Sequence, residues 1–268
     1  MLFPSVPLTG LLSDSSVWAR VTGGESGAIV LRHVSGERFA KVVSVADAST
    51  LEDERDRIEW LSTTGIPGPS VLDWRTTEHG ACLITSAVAG VPADRLDSAH
   101  LAQAWPSITE SLVRLHSIPA STCPYGRTLD EMMALARATV AENRVHPEFL
   151  PQQLIEAPPS VILESLERDR PFRQEQEDAD RVVCHGDFCL PNILIDPDAS
   201  LVAGLIDLGR LGQADPYADI ALLLANARET WPNEDTAQWA DHDFGSRYGI
   251  ALDPDRLDFY LRLDPLTW

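Results

Sequence analysis

The sequence predicts an α+β chain in two lobes: a front lobe with an antiparallel sheet and one helix, and a larger, mainly helical rear lobe. Three observations predict it. Clusters of β-formers separated by glycine-containing turns fill residues 14–86. Apolar residues recur at helical spacing from Asp97 onward. Within that helical half, two short strand-like apolar runs (182–184 and 205–206) adjoin polar stretches rich in Asp, Asn and Gly. The division is expected as 1–88 and 89–268. A chain of 268 residues with a hydrophobic fraction of 44% can build a sizeable core.

In the front lobe, Ser16 to Val21, Gly27 to His33 and Arg38 to Val45 read as strands. Leu51 to Thr63 has helical periodicity, and Gly65-Ile66-Pro67-Gly68-Pro69 stops it. Val71 to Trp74 and Ala81 to Ser86 are two further strands, and 87–92 is a connector. The next helix, Asp97 to His116, carries Leu101, Ala104, Trp105, Ile108, Leu112 and Leu115 on one side. Leu129 to Asn143 is helical, and so is Val161 to Arg168, followed by a charge-rich stretch to Asp180. Helices are also expected over Tyr217 to Glu229 and Arg256 to Leu263.

The net charge is −20, from 41 acidic and 21 basic residues. That balance disfavours a nucleic-acid partner, which requires clustered Lys and Arg. It serves solubility, and an acidic cleft could also concentrate a polycationic substrate. No apolar run approaches the roughly 20 residues of a membrane span. Residues 1–10 make a poor signal peptide, and the four cysteines form no C-x-x-C pair. A cytoplasmic setting follows.

The most informative stretch is His185-Gly186-Asp187-Phe188-Cys189-Leu190-Pro191-Asn192, followed by Ile206-Asp207-Leu208-Gly209. Phosphoryl transfer needs a carboxylate to orient a hydroxyl and oxygen ligands to hold Mg²⁺ against phosphates. Protein kinases supply these groups as H-R-D-x-x-x-x-N and D-F-G. Here Asp187 is the candidate catalytic base, and Asn192 and Asp207 are the candidate Mg²⁺ ligands. His185 is expected to brace the loop. Lys41, on a strand between apolar residues in a lysine-poor chain, fits a lysine that reaches the α- and β-phosphates of ATP. Glu54, on the following helix, is its expected partner, with Glu52 and Glu59 as rivals. Ser26 and Gly27, in Gly23-Gly24-Glu25-Ser26-Gly27, stand where a phosphate-covering loop belongs, although a plain hairpin turn explains the glycines equally well. Arg210 could pair with a carboxylate or steady a phosphate, and Asp215 is a further candidate substrate contact. Asp219 reads as a carboxylate complementing a helix dipole.

These motifs, with Gly186 in place of the kinase Arg, resemble those of the aminoglycoside phosphotransferases. Segments from residue 23 to 268 are similar to the branch that phosphorylates the 3″-hydroxyl of streptomycin: Gly23-Gly24-Glu25-Ser26-Gly27, Glu54-Arg55-Asp56-Arg57, Gly90-Val91-Pro92-Ala93, Ala104-Trp105-Pro106-Ser107 and Phe259 to Trp268. The resemblance implies a protein-kinase-like bilobal fold. It also implies direct transfer of the ATP γ-phosphoryl group, with Mg²⁺, to a small cationic aminoglycoside, by a monomer or weak dimer. It makes Asp264 and Trp268, with its terminal carboxylate, candidate substrate contacts. The motifs leave open another aminoglycoside, or a small alcohol such as choline. A nucleotide-binding pseudokinase is disfavoured by the intact Lys41, Asp187, Asn192 and Asp207 set. A protein kinase is disfavoured by the lack of an A-P-E segment.

Overall fold

The computed structural model of the protein describes residue 8, residues 10–21 and residues 28–268. The chain forms two compact units. The first comprises Met1–Gly90 with Ala203–Gly209, and the second comprises Val91–Val202 with Arg210–Trp268.

The first unit is a five-stranded antiparallel sheet in the order β1-β2-β3-β5-β4. Its strands are β1 (Trp18–Arg20), β2 (Ile29–His33), β3 (Arg38–Ser44), β4 (Val71–Thr77) and β5 (Gly80–Ser86). Side chains alternate across a strand. Ala40 and Val42 therefore bury on one face, in a cluster with Leu11, Leu12, Leu31, Cys82 and Ile84. Lys41 projects to the other face. Helix α1 (Ala48–Ser62) buries Leu51, Glu54, Ile58 and Leu61. Those positions follow helical spacing, so Glu54 sits inside an otherwise apolar stripe.

The segment Ala203–Gly209 joins this unit through its backbone. The Leu205 N–H donates to the Pro67 carbonyl at 2.9 Å. Gly204 permits the approach, since a Cβ there would meet Val88 Cγ1 at 2.8 Å. A division into two contiguous lobes has no place for this return of the chain.

The second unit is mainly helical. It contains α2 (Ser98–His116), α3 (Leu129–Ala141), α4 (Pro159–Asp180), α5 (Tyr217–Arg228), α6 (Glu234–Tyr248) and α7 (Pro254–Leu263). The apolar face expected of α2 is fully buried, and Trp105 Nε1 donates to the Ala240 carbonyl of α6 at 3.1 Å. Helix α3 starts at a reciprocal Thr128–Glu131 capping box. Helix α4 runs on through Pro171 and the charged stretch that reads as its end in the sequence. Helix α6, absent from the sequence expectations, is capped by the Asn233 side chain and closed by Gly249 at φ +87°.

Short strands carry the motifs. Strand β7 (Val182–Cys184) pairs antiparallel with β10 (Gly212–Ala214). Strand β6 (Val91–Pro92), a connector by sequence, pairs with β8 (Ile193–Asp196). Strand β9 (Leu201–Leu205) carries the chain from the second unit into the first. Among the described residues, no helix is long and apolar enough to cross a membrane.

Candidate active site

In the first unit, Lys41 Nζ donates to Glu54 Oε2 at 2.7 Å and to Asp207 Oδ1 at 3.1 Å. Glu54 is the partner here, while Glu52 pairs with Arg55. Burial alone would lower the affinity of Lys41 for its proton, but the charges and hydrogen bonds of Glu54 and Asp207 outweigh it and hold the ammonium charged. Burial pushes Glu54 up, against the pull of Lys41. Lys41 is the only lysine in the chain. Asp207 is exposed and has φ +60°, a left-handed conformation that Asp adopts more readily than most residues. Gly209 lies two residues on, where a Cβ would stand 3.6 Å from Glu54 Oε2. Ser26 and Gly27 lie outside the described residues.

In the second unit, the turn after β7 presents Asp187. Asn192 Nδ2 donates to Asp187 Oδ2 at 2.8 Å and to the Asp187 carbonyl at 3.0 Å. The amide oxygen of Asn192 is therefore the end turned away from Asp187. Cys189 Sγ lies 3.4 Å from Asp187 Oδ1, and burial, then the Asp187 charge, pushes this thiol well up. His185 is fully buried, and its Nδ1 accepts the Asp187 N–H at 3.3 Å.

Asp219 holds this turn from α5. Its carboxylate accepts the N–H of His185 at 2.6 Å and of Gly186 at 2.8 Å, and His116 Nε2 lies 3.2 Å away. The sequence reading of Asp219 as a dipole-complementing residue is extended here. It lies in the first turn of α5, but its oxygens serve the loop. Asn226, two turns further along the same helix, accepts the Leu190 N–H at 2.9 Å.

Of the four candidate substrate residues, the structure brings three together. Asp264 Oδ1 lies 3.3 Å from Arg210 Nη1, and Asp264 Oδ2 accepts from Trp268 Nε1 at 3.0 Å. The Arg210 guanidinium lies over the Trp268 ring, 3.3 Å from its centroid. Asp215 is elsewhere. It is fully buried and accepts Arg256 Nε at 2.9 Å, Arg256 Nη2 at 2.6 Å and the Tyr217 N–H at 2.8 Å. A carboxylate so enclosed neutralises an internal arginine and has no surface to offer a substrate. The expectation of a substrate contact at Asp215 is corrected accordingly.

The donor set suits Mg²⁺, which takes hard oxygen ligands and few protein carboxylates. In the first unit Asp207 offers an exposed carboxylate, and in the second Asn192 offers an amide oxygen directed away from Asp187. A second set of potential ligands, His116, Cys184 and Asp219, is buried and already hydrogen-bonded.

A family model described as the phosphotransferase enzyme family matches residues 15–260. The chain is 55% identical over 251 residues to streptomycin 3″-kinase of Streptomyces griseus, covering 94% of this chain and 92% of that protein. It is similar to the structure of aminoglycoside phosphotransferase APH(3″)-Id of Streptomyces rimosus, with TM-score 0.94, 53% identity and 97% of each chain covered. It is also similar to that enzyme in complex with ADP and streptomycin, with TM-score 0.91, 51% identity, and 96% of this chain and 94% of that one covered. The α+β fold is thus the kinase-like fold of these enzymes.

Proposed function

The chain belongs to the phosphotransferase enzyme family, and we propose that it transfers the γ-phosphoryl group of ATP to the 3″-hydroxyl of streptomycin. The reaction is carried by one observation in each unit: a single lysine between Glu54 and Asp207 in the first, and an Asp187 carboxylate steered by Asn192 in the second. The likeness to streptomycin 3″-kinase supports the choice of acceptor.

On this reading, Lys41 holds the nucleotide phosphates, and Glu54 keeps its ammonium in place. Asp187 orients the acceptor hydroxyl and takes its proton as the new O–P bond forms. The bond from the γ-phosphorus to the β–γ bridging oxygen breaks, leaving ADP and a phosphate monoester. Asp207 and Asn192 would hold Mg²⁺, which neutralises charge on the phosphates when bound. Asp264 would accept a guanidinium of the substrate through Oδ1, in exchange for Arg210, as a charge-assisted hydrogen bond. Trp268 would offer its ring to the same cation. We further read the protein as a cytoplasmic monomer or weak dimer without a nucleic-acid partner.

The test is Mg-ATP consumption with streptomycin, kanamycin and choline, with Asp187→Ala as the blank. Turnover with streptomycin, and a product phosphorylated at the 3″-oxygen by NMR, is the expected result. Turnover with kanamycin or choline alone would overturn the substrate assignment while leaving the chemistry.

A further inference from the structure

Protein kinases carry Arg in the catalytic-loop position that is Gly186 here. Gly186 has φ +82°, and a Cβ on it would meet the Arg210 carbonyl oxygen at 2.2 Å and Cδ of Arg127 at 2.7 Å. The room left by the missing side chain is thus filled by an arginine from a distant segment, just ahead of α3. The backbone of that segment is fixed. The Arg127 N–H donates to the Gln213 carbonyl at 3.0 Å, beside a parallel bridge between Gly126 and Gln213. Gly212 permits this approach, because a Cβ there would stand 2.8 Å from the Gly126 carbonyl carbon.

The Arg127 side chain is only 7% exposed. Its Nη2 lies 3.4 Å from Asp264 Oδ1, the oxygen that also faces Arg210, and its Nε finds no hydrogen-bond partner among the described residues. Burial, then the charge of Arg210, brings the guanidinium down to about 10, while Asp264 and Asp187 work the other way. Burying an incompletely bonded cation is costly, and an apolar chain of the same length would fill the gap beside Gly186 without that cost. A charge buried at such a place, against the loop that carries Asp187, points to a role in that loop.

We propose that Arg127 is a positioning residue for phosphoryl transfer, its stem propping the Gly186–Asp187 turn and its guanidinium tying that turn to Asp264. Through it, the group that takes the proton and the group assigned to the substrate cation share one support. This inference rests on the phosphotransferase reading above. It adds a residue that the H-G-D motif does not contain.

The experiment uses the full chain with Arg127→Met, which keeps the stem and removes the charge, and Arg127→Lys, which keeps the charge without the fork. Three quantities are read: melting temperature, kcat and KM with streptomycin, and slow hydrolysis of Mg-ATP with water as the acceptor. Misplacing a catalytic group by about 1 Å costs up to roughly a hundredfold, so Arg127→Met should lower both kcat and hydrolysis by about tenfold or more, with KM for ATP within about twofold. Arg127→Lys should recover part of that loss. Asp264→Asn should cost less in the Arg127→Met background than in the wild type, because the two act as a unit. Should Arg127→Met fail to fold, the kcat-against-KM split of Arg127→Lys decides. Wild-type kcat and hydrolysis in the folded variants, or strictly additive effects with Asp264→Asn, would overturn the proposal. Absence of streptomycin turnover by the wild type would instead sink the substrate reading, and the hydrolysis measurement would still test Arg127.

Discussion

Lys41 stands between two carboxylates, 2.7 Å from Glu54 and 3.1 Å from Asp207. Glu54 is buried on the stripe of α1 while Asp207 is exposed, so the two partners do different work. Glu54 anchors the ammonium, and Asp207 shares it with whatever approaches from solvent. Charge-assisted hydrogen bonds contribute about 1.5–3 kcal/mol, so Lys41→Ala should raise KM for ATP by roughly ten- to a hundredfold. As the only lysine, it also allows a chemical test. Because Glu54 and Asp207 hold the ammonium protonated, an amine-selective reagent should modify Lys41 slowly and only at alkaline pH, by peptide mapping, and ATP should slow that modification further. Labelling at the same rate with and without ATP would remove Lys41 from the nucleotide site.

Asp187 has its carboxylate steered by the Asn192 amide at 2.8 Å and its backbone held through His185. General acid–base groups contribute about 10²–10⁴-fold, so Asp187→Ala should lower kcat by that range and leave ATP affinity close to the wild-type value. Asn192→Ala should lower turnover as well, with a loss that excess Mg²⁺ partly restores. Turnover of Asp187→Ala within about tenfold of the wild type would show that another group takes the proton.

The elements and pairings legible in the sequence are those set by local spacing. Glu54 shares the 51, 54, 58, 61 stripe of α1, and Glu52 and Glu59 lie off it, so period alone selects the partner of Lys41. Helix α6 was also legible: Asn233 and Gly249 mark its ends, and Ala237, Ala240 and Phe244 share its buried face. The C-terminal half of helix α4 is hidden because Pro171 removes the N–H that would bond the Glu167 carbonyl, a change that commonly ends a helix. The roles of Asp215, Asp219 and Arg127 depend on partners far along the chain. None of the three roles is legible until the fold brings Arg256, the 185–186 backbone or Asp264 beside the residue.

Asp215 and Arg256 form a buried pair with two N–H groups on the carboxylate. Removing one partner of such a pair leaves an uncompensated charge and costs about 3–5 kcal/mol. Asp215→Ala should therefore lower the melting temperature sharply, and Arg256→Met should do the same. The double variant should be less destabilised than the sum of the two, since neither charge is then stranded. A stable Asp215→Ala protein with raised KM for streptomycin would restore the substrate role read from the sequence.

Asp219 sets an acid limit on the fold. Burial raises its pKa, but the hydrogen bond from His116, the nearby His116 and His185 rings and the His185 N–H outweigh burial and hold it below the usual carboxylate value. On acidification the unfolded chain takes this proton first. The stabilisation is therefore present above the unfolded value and is lost as pH falls through the folded one. Asp219→Asn offers one oxygen to two loop N–H donors, so one buried donor is stranded at a cost of about 1–3 kcal/mol at neutral pH. Urea unfolding from pH 7 to pH 2.5 should show the variant less stable at neutrality and flatter below pH 4. A variant whose acid loss parallels that of the wild type would assign the limit to another carboxylate.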